Sequence, residues 1–180
     1  RAIIAPGIEN AIALVPESGK PFEELRRIMR NESEWSIVNE SPDGFGVRYI
    51  SGDEWPMQVG DVVVLLTHDD GRLHICLVRR VNHKADRIEL GLQELSPYAS
   101  VIQLPPLEED GSSLSAVFLS NLPAYNGNAG VVGFPGSFTE TTVFRTTDKT
   151  GRNRLWRPSP HFEGNDRVEF RVLVPVEPMC

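Results

Sequence analysis

Apolar positions along this chain recur mostly with a period of two, and no sustained stripe with a period of 3.6 appears. Alternation puts successive side chains on opposite faces of a pleated strand, so each such run reads as a strand with one face buried. In the first half these runs lie at residues 35–38, 47–50, 62–66, 73–81 and 87–95. Val62-Val63-Val64-Leu65-Leu66 is apolar throughout, as a strand buried on both faces must be. Turn-forming residues separate the runs at Ser41-Pro42-Asp43-Gly44, Gln58-Val59-Gly60-Asp61 and Asp69-Asp70-Gly71, which predicts an antiparallel meander. The second half repeats the pattern at residues 115–119, 129–134, 140–145, 152–156 and 167–174. Its turns are expected at Asn126-Gly127-Asn128, Pro135-Gly136, Lys149-Thr150-Gly151 and Gly164-Asn165-Asp166. The fold class predicted is mainly β, an antiparallel barrel followed by a second small β-barrel or sandwich.

Three stretches interrupt the strands. Residues 1–20 mix short apolar patches with Pro6, Gly7, Pro16 and Gly19 and read as an irregular N-terminal arm or linker, with one helical turn near residues 9–14. A short helix is expected over residues 21–29: Pro21 suits its first position, Glu23 and Glu24 its first turn, and Arg26, Arg27 and Arg30 its end. Residues 104–113, rich in Pro, acids and small polar residues, read as a linker. The expected division is therefore an arm at 1–20, a barrel domain at 21–103, a linker at 104–113 and a second β domain at 114–180.

Composition narrows the function classes. With 40% hydrophobic and 24% charged residues the 180-residue chain has the make-up of a globular protein. A net charge of −7 argues against a general nucleic-acid surface, which needs clustered positive charge, although a few local arginines still suffice for a small anion. Cys76 and Cys180 make no disulfide framework, and Cys76 is expected to pack as a small hydrophobe, which fits a reducing cytoplasm. No apolar run reaches the length of a membrane span, no signal peptide is evident, and a first residue of Arg1 rather than Met suggests a fragment or a processed chain. His68, His74, His83 and His161 are scattered without metal-ligand spacing, and phosphate-loop and nucleophile-elbow motifs are absent, so no metal, cofactor or enzyme activity is expected. Arg145, Arg152, Arg154, Arg157, Arg167 and Arg171 give the second half a basic bias. They read either as solvated edge guards or as a face toward an acidic partner or the first domain.

Candidate chemistry centres on Asn39-Glu40-Ser41-Pro42-Asp43-Gly44, which follows the run at 35–38. One reading is a plain β-turn; the other is a small polar binding edge, with an amide, a hydroxyl and a glycine free to take positive φ. The order of features resembles the PilZ domain family, bacterial receptors for the second messenger cyclic di-GMP. Five pieces carry the resemblance, over residues 22–95: Arg26 to Arg30 as the arginine motif, Asn39-Ser41-Gly44, Val59-Gly60-Asp61, Val78-Arg79-Arg80 and Leu90-Gly91-Leu92. The chain departs from the family in spacing, since only residues 31–38 separate the arginines from the Asn-Ser segment. The resemblance implies a PilZ-like barrel in a non-enzymatic, cytoplasmic regulator that couples cyclic di-GMP binding to a protein partner or adjacent domain. It assigns ligand binding to Arg26, Arg27, Arg30, Asn39, Ser41 and Gly44, with Arg79 bordering the pocket and residues 26–34 ordering on binding. The alternatives are that the arginines only form surface ion pairs with Glu23, and that the barrel has lost its ligand and serves as a protein-interaction or assembly module.

Overall fold

The first apolar patch of the chain is a strand and not an irregular arm. In a computed structural model the described residues are 1–106, 111, 113–139 and 141–177, with backbone alone at 161 and 162. Strand β1 (Ala2–Pro6) is buried at every position. It pairs with β2 (Ser33–Ser41) on one side and β4 (Val62–Thr67) on the other, with Ile4 opposite both Ser33 and Leu65. Being covered on both faces it needs no polar alternation, which is why the pattern concealed it. Gly7, at φ +88°, turns the chain from β1 into helix α1 (Gly7–Leu14). A 3₁₀ turn (Val15–Glu17) and helix α2 (Phe22–Ile28) follow.

With β3 (Gly44–Gly52), β5 (Leu73–Lys84) and β6 (Arg87–Ser96), the first half closes into a barrel of order β1-β2-β3-β6-β5-β4. It is not a simple meander: β3 pairs with β6, and the chain crosses the barrel end between Gly52 and Val62 before β4 begins. Parity then divides the apolar residues into two cores. Ala2, Ile4, Val63, Leu65, Cys76 and Val78 fill the barrel, while Ile3, Ala5, Val62, Val64, Leu66 and Leu77 point outward into a second core.

The second half supplies the far wall of that outer core. Strands β7 (Ala99–Leu104), β8 (Leu114–Leu122), β9 (Asn128–Gly133), β10 (Phe144–Thr147), β11 (Asn153–Gly164) and β12 (Glu169–Val176) form a sheet of order β10-β11-β12-β9-β8-β7. Val117, Leu119, Val132 and Phe170 face the barrel and, with Leu14 and Leu25 of the helices, complete the middle core. Phe118, Val131, Trp156 and Leu173 face away into a third cluster with Phe138 and Phe144. The architecture is thus mainly β in two sheet-built halves, as the alternation predicted. Strand β7 escaped the pattern, and Thr141 to Val143, expected in a strand, lie outside β10. Glu140, residues 107–110 and 112 of the expected linker, and Cys180 lie outside the described residues.

Polar contacts join the parts. Asn10, buried in α1, donates to the carbonyls of Pro6 (2.6 Å) and Arg30 (3.0 Å) and accepts from the Arg30 amide (2.9 Å). The chain leaving α2 is therefore fixed before β2 starts. Asn10→Ala strands the buried Pro6 carbonyl and leaves the part-buried Arg30 backbone pair to water, and is expected to cost about 1–3 kcal/mol, the usual penalty for orphaned buried groups. A lowered urea midpoint with unchanged slope will read it.

Between the halves, the turn at Val59 and Gly60 meets the turn after β11. Asp61 accepts from Asn165 Nδ2 (2.7 Å) and pairs with Arg167 (3.0 Å). Gly60 has φ +93°, and a Cβ there would stand 2.6 Å from the Gly164 carbonyl oxygen. The Val59-Gly60-Asp61 segment is thus a docking contact between the two halves.

Candidate functional site

Three antiparallel ladders bring Asn39 of β2, Gly46 of β3, Gly91 of β6 and Arg80 of β5 into one rung across the outer face of the barrel. The pairs are Asn39 with Gly46, Gly46 with Gly91, and Gly91 with Arg80. Two adjacent glycines separate an amide from a guanidinium, Gly46 buried beneath the Asn39 side chain and Gly91 half-buried beside Arg80. The flanking groups lean over that floor: a Cβ on Gly46 would stand 2.6 Å from Asn39 Oδ1, and one on Gly91 would stand 3.5 Å from Arg80 Nε and Nη2. Above this rung lie Ser41, Gly44 and Gln93, and below it Arg48 and Glu89, ion-paired at 2.9 Å.

This arrangement suits a flat, polar-edged ring. Once the exposed Asn39 and Arg80 side chains swing off the glycines, the peptide planes can take the face of a heterocycle while amide and guanidinium bond its edge. Guanidinium in particular offers paired N–H groups that fit guanine O6 and N7 or two phosphate oxygens. Arg80 is exposed and has no acidic partner among the described residues.

The expected site residues divide between this face and other places. Asn39 and Ser41 are exposed at the β2–β3 hairpin, and Gly44 lies beneath them. Gly44 does not take positive φ; glycine is required because a side chain would run into the Leu92 carbonyl across the β3–β6 pair. Arg26 and Arg27 sit on α2 and Arg30 just before β2, at the opposite end of that strand from Ser41. Ser33 and Ser41 are the two ends of β2, roughly 26 Å apart at about 3.3 Å per residue step. Arg26 is bound to Glu32 at 2.9 Å rather than to Glu23, Arg27 and Arg30 are exposed, and Asn10 already orders the Arg30 backbone. The structure does not bring these three arginines to the Asn39 face.

Arg79 spans the edge of this face and the seam between the halves. Its Nε donates to Gln93 (2.5 Å), and its Nη atoms reach both carboxylate oxygens of Glu163 at 3.3 and 3.4 Å. The Tyr125 hydroxyl donates to the same carboxylate at 2.6 Å. Burial, then that neighbouring carboxylate, push the Tyr125 phenol above its ordinary range.

Sequence reasoning missed Arg80, Gly46 and Gly91 as a group. In Val78-Arg79-Arg80 simple alternation points Arg80 inward, but the register slips between Val78 and Arg80, pairing them with Leu92 and Gly91 in succession. Arg79 is the extra residue of a bulge, and Arg80 takes the outward place. The usable signal was Gly91 itself, a glycine inside an otherwise well-formed strand.

Cys76 is fully buried and desolvation pushes its thiol well above the usual range, so it is a packing residue rather than a nucleophile. Among the described residues no group of three or more His, Cys, Asp and Glu side chains converges on a metal-sized site. No helix among them is long and apolar enough to cross a membrane. Comparison with protein-family models, curated proteins and solved structures finds no match to this chain.

Proposed function

We propose that this chain is a non-enzymatic receptor module that holds cyclic di-GMP on the outer face of its first barrel, in the cytoplasm, and passes the binding event to a partner or adjoining domain. The observation that carries the reading is the Asn39–Gly46–Gly91–Arg80 rung, a glycine floor with edge-bonding groups at both ends. One guanine lies on that floor after Asn39 and Arg80 swing off the glycines, with Asn39 and Ser41 then on one side and Arg80 on the other. Arg80 does the work the resemblance gave to the helix arginines. The alternative, a PilZ-like barrel serving only as an assembly module, draws on the remoteness of Arg26, Arg27 and Arg30 from the rung.

Calorimetric titration with cyclic di-GMP separates the two. Arg80→Ala removes a charge-assisted contact and is expected to weaken binding by about 1.5–3 kcal/mol, with Asn39→Ala nearer 0.5–1.5 kcal/mol. Arg26→Ala and Arg27→Ala are expected to bind like the parent. If the parent itself gives neither heat nor a thermal shift at tens of micromolar ligand, on the order of the concentration that reports moderate affinity, the receptor reading is withdrawn and the assembly reading stands.

A further inference from the structure

The second sheet is curled but not closed, and its two edge strands, β7 and β10, line the same opening. One groove of about 900 Å³ is walled by Ser100 and Ile102 of β7 and by Arg145 and Thr147 of β10. A second, of about 960 Å³, continues it past Leu104 and Phe144. Each edge strand has a neighbour on one side only, so half of its backbone N–H and C=O groups point into the gap. The floor is aromatic: Phe118 and Trp156 meet at 5.6 Å between ring centroids, and Tyr98, 64% exposed, stands at the mouth.

The rim is basic in a chain whose net charge is −7. Arg145, Lys149 and Arg154 line the first groove, and none has an acidic partner among the described residues. Arg154 lies over the Trp156 ring, 5.0 Å from its centroid. Among the described residues the second groove has Glu177, and the first has one carboxylate, Asp148, turned to its own loop, where it accepts from the Thr150 hydroxyl and from the amides of Thr150 and Arg152. Hydrogen bonding to Thr150, first of these, holds its carboxyl below the usual range.

We infer that this slot docks an extended acidic segment of a partner protein, which adds as a strand between β7 and β10 and closes the second sheet. Backbone groups of both edges supply the hydrogen bonds, alternate apolar side chains of the segment rest on Phe118 and Trp156, and its acidic side chains face Arg145, Lys149 and Arg154. An extended peptide satisfies two unpaired edges at once; a nucleic acid strand matches the charge and the aromatic floor but not the edges. The site is independent of the barrel face, so failure of one reading leaves the other untouched.

Fluorescence anisotropy on the full chain tests it, with a short labelled peptide of alternating Glu and Val as probe. That peptide is expected to bind and to weaken as salt rises. The Lys and Val counterpart is expected not to bind, and a copy N-methylated at alternate amides is expected to lose at least an order of magnitude. Arg145→Glu and Lys149→Glu, both at exposed positions, are each expected to weaken the acidic peptide several-fold while leaving the thermal midpoint unchanged. No binding of the acidic peptide, equal binding of the N-methylated copy, or equal binding of oligothymidylate overturns the proposal.

Discussion

Gly44→Ala is expected to destabilise the protein by about 3 kcal/mol or more, at the upper end of what overpacking costs. The added methyl group would run into the Leu92 carbonyl, which is backbone of a strand held on both sides, by β3 and β5. No rotamer change relieves that overlap, so β3 must move away from β6 and disturb the pair Gly44–Gln93. Gly71→Ala is the control: its φ of +66° makes alanine strained, by about 1–2 kcal/mol, but nothing lies within 4 Å. Urea unfolding of the two variants will rank them. A Gly44→Ala protein as stable as the Gly71→Ala control would show that the β3–β6 pair is looser than its register implies. The same result bears on function: lost ligand binding in a Gly44 variant reports a distorted strand and is no evidence of contact with ligand.

How much of this was legible in the chain depended on how far each element's environment differed from a one-sided sheet. Val62 to Leu66 declared itself because five apolar residues in a row are long enough to stand out. Ala2 to Ala5, equally buried, did not, because Pro6 and Gly7 follow at once and imitate a linker. Asn39, Ser41 and Gly44 were legible as a strand end and its hairpin turn, but Gly44 is required by a carbonyl across the sheet and not by its own dihedral. Arg79 and Arg80 could not be told apart without the bulge between Val78 and Arg80, which is a property of two strands and not of one. The turns at Gly60 and Gly164 were both readable, yet nothing local says that residues 104 apart in sequence, Asp61 and Asn165, hydrogen-bond across them.

Asp61→Ala should therefore tell how the halves are joined. Asp61 is 6% exposed and holds the Gln58 amide (2.8 Å), the Asn165 side chain and Arg167. Breaking a buried pair by removing one partner costs about 3–5 kcal/mol, but the Arg167 side chain keeps 30% exposure and water recovers part of the loss, so about 2–3 kcal/mol is expected. Such a loss corresponds to a fall in Tm of roughly 4–12 °C for a chain of this size. The shape of the transition matters more than its midpoint. Ile3, Val64, Leu66, Val117, Leu119, Val132 and Phe170 form one apolar core shared by barrel and second sheet. At about 1.5–3 kcal/mol for each buried side chain, that core outweighs the polar clamp several times over. The variant is thus expected to unfold in a single cooperative step, with calorimetric and van't Hoff enthalpies equal. Two separated transitions would mean that the Asp61 clamp, and not the shared core, makes the halves one unit.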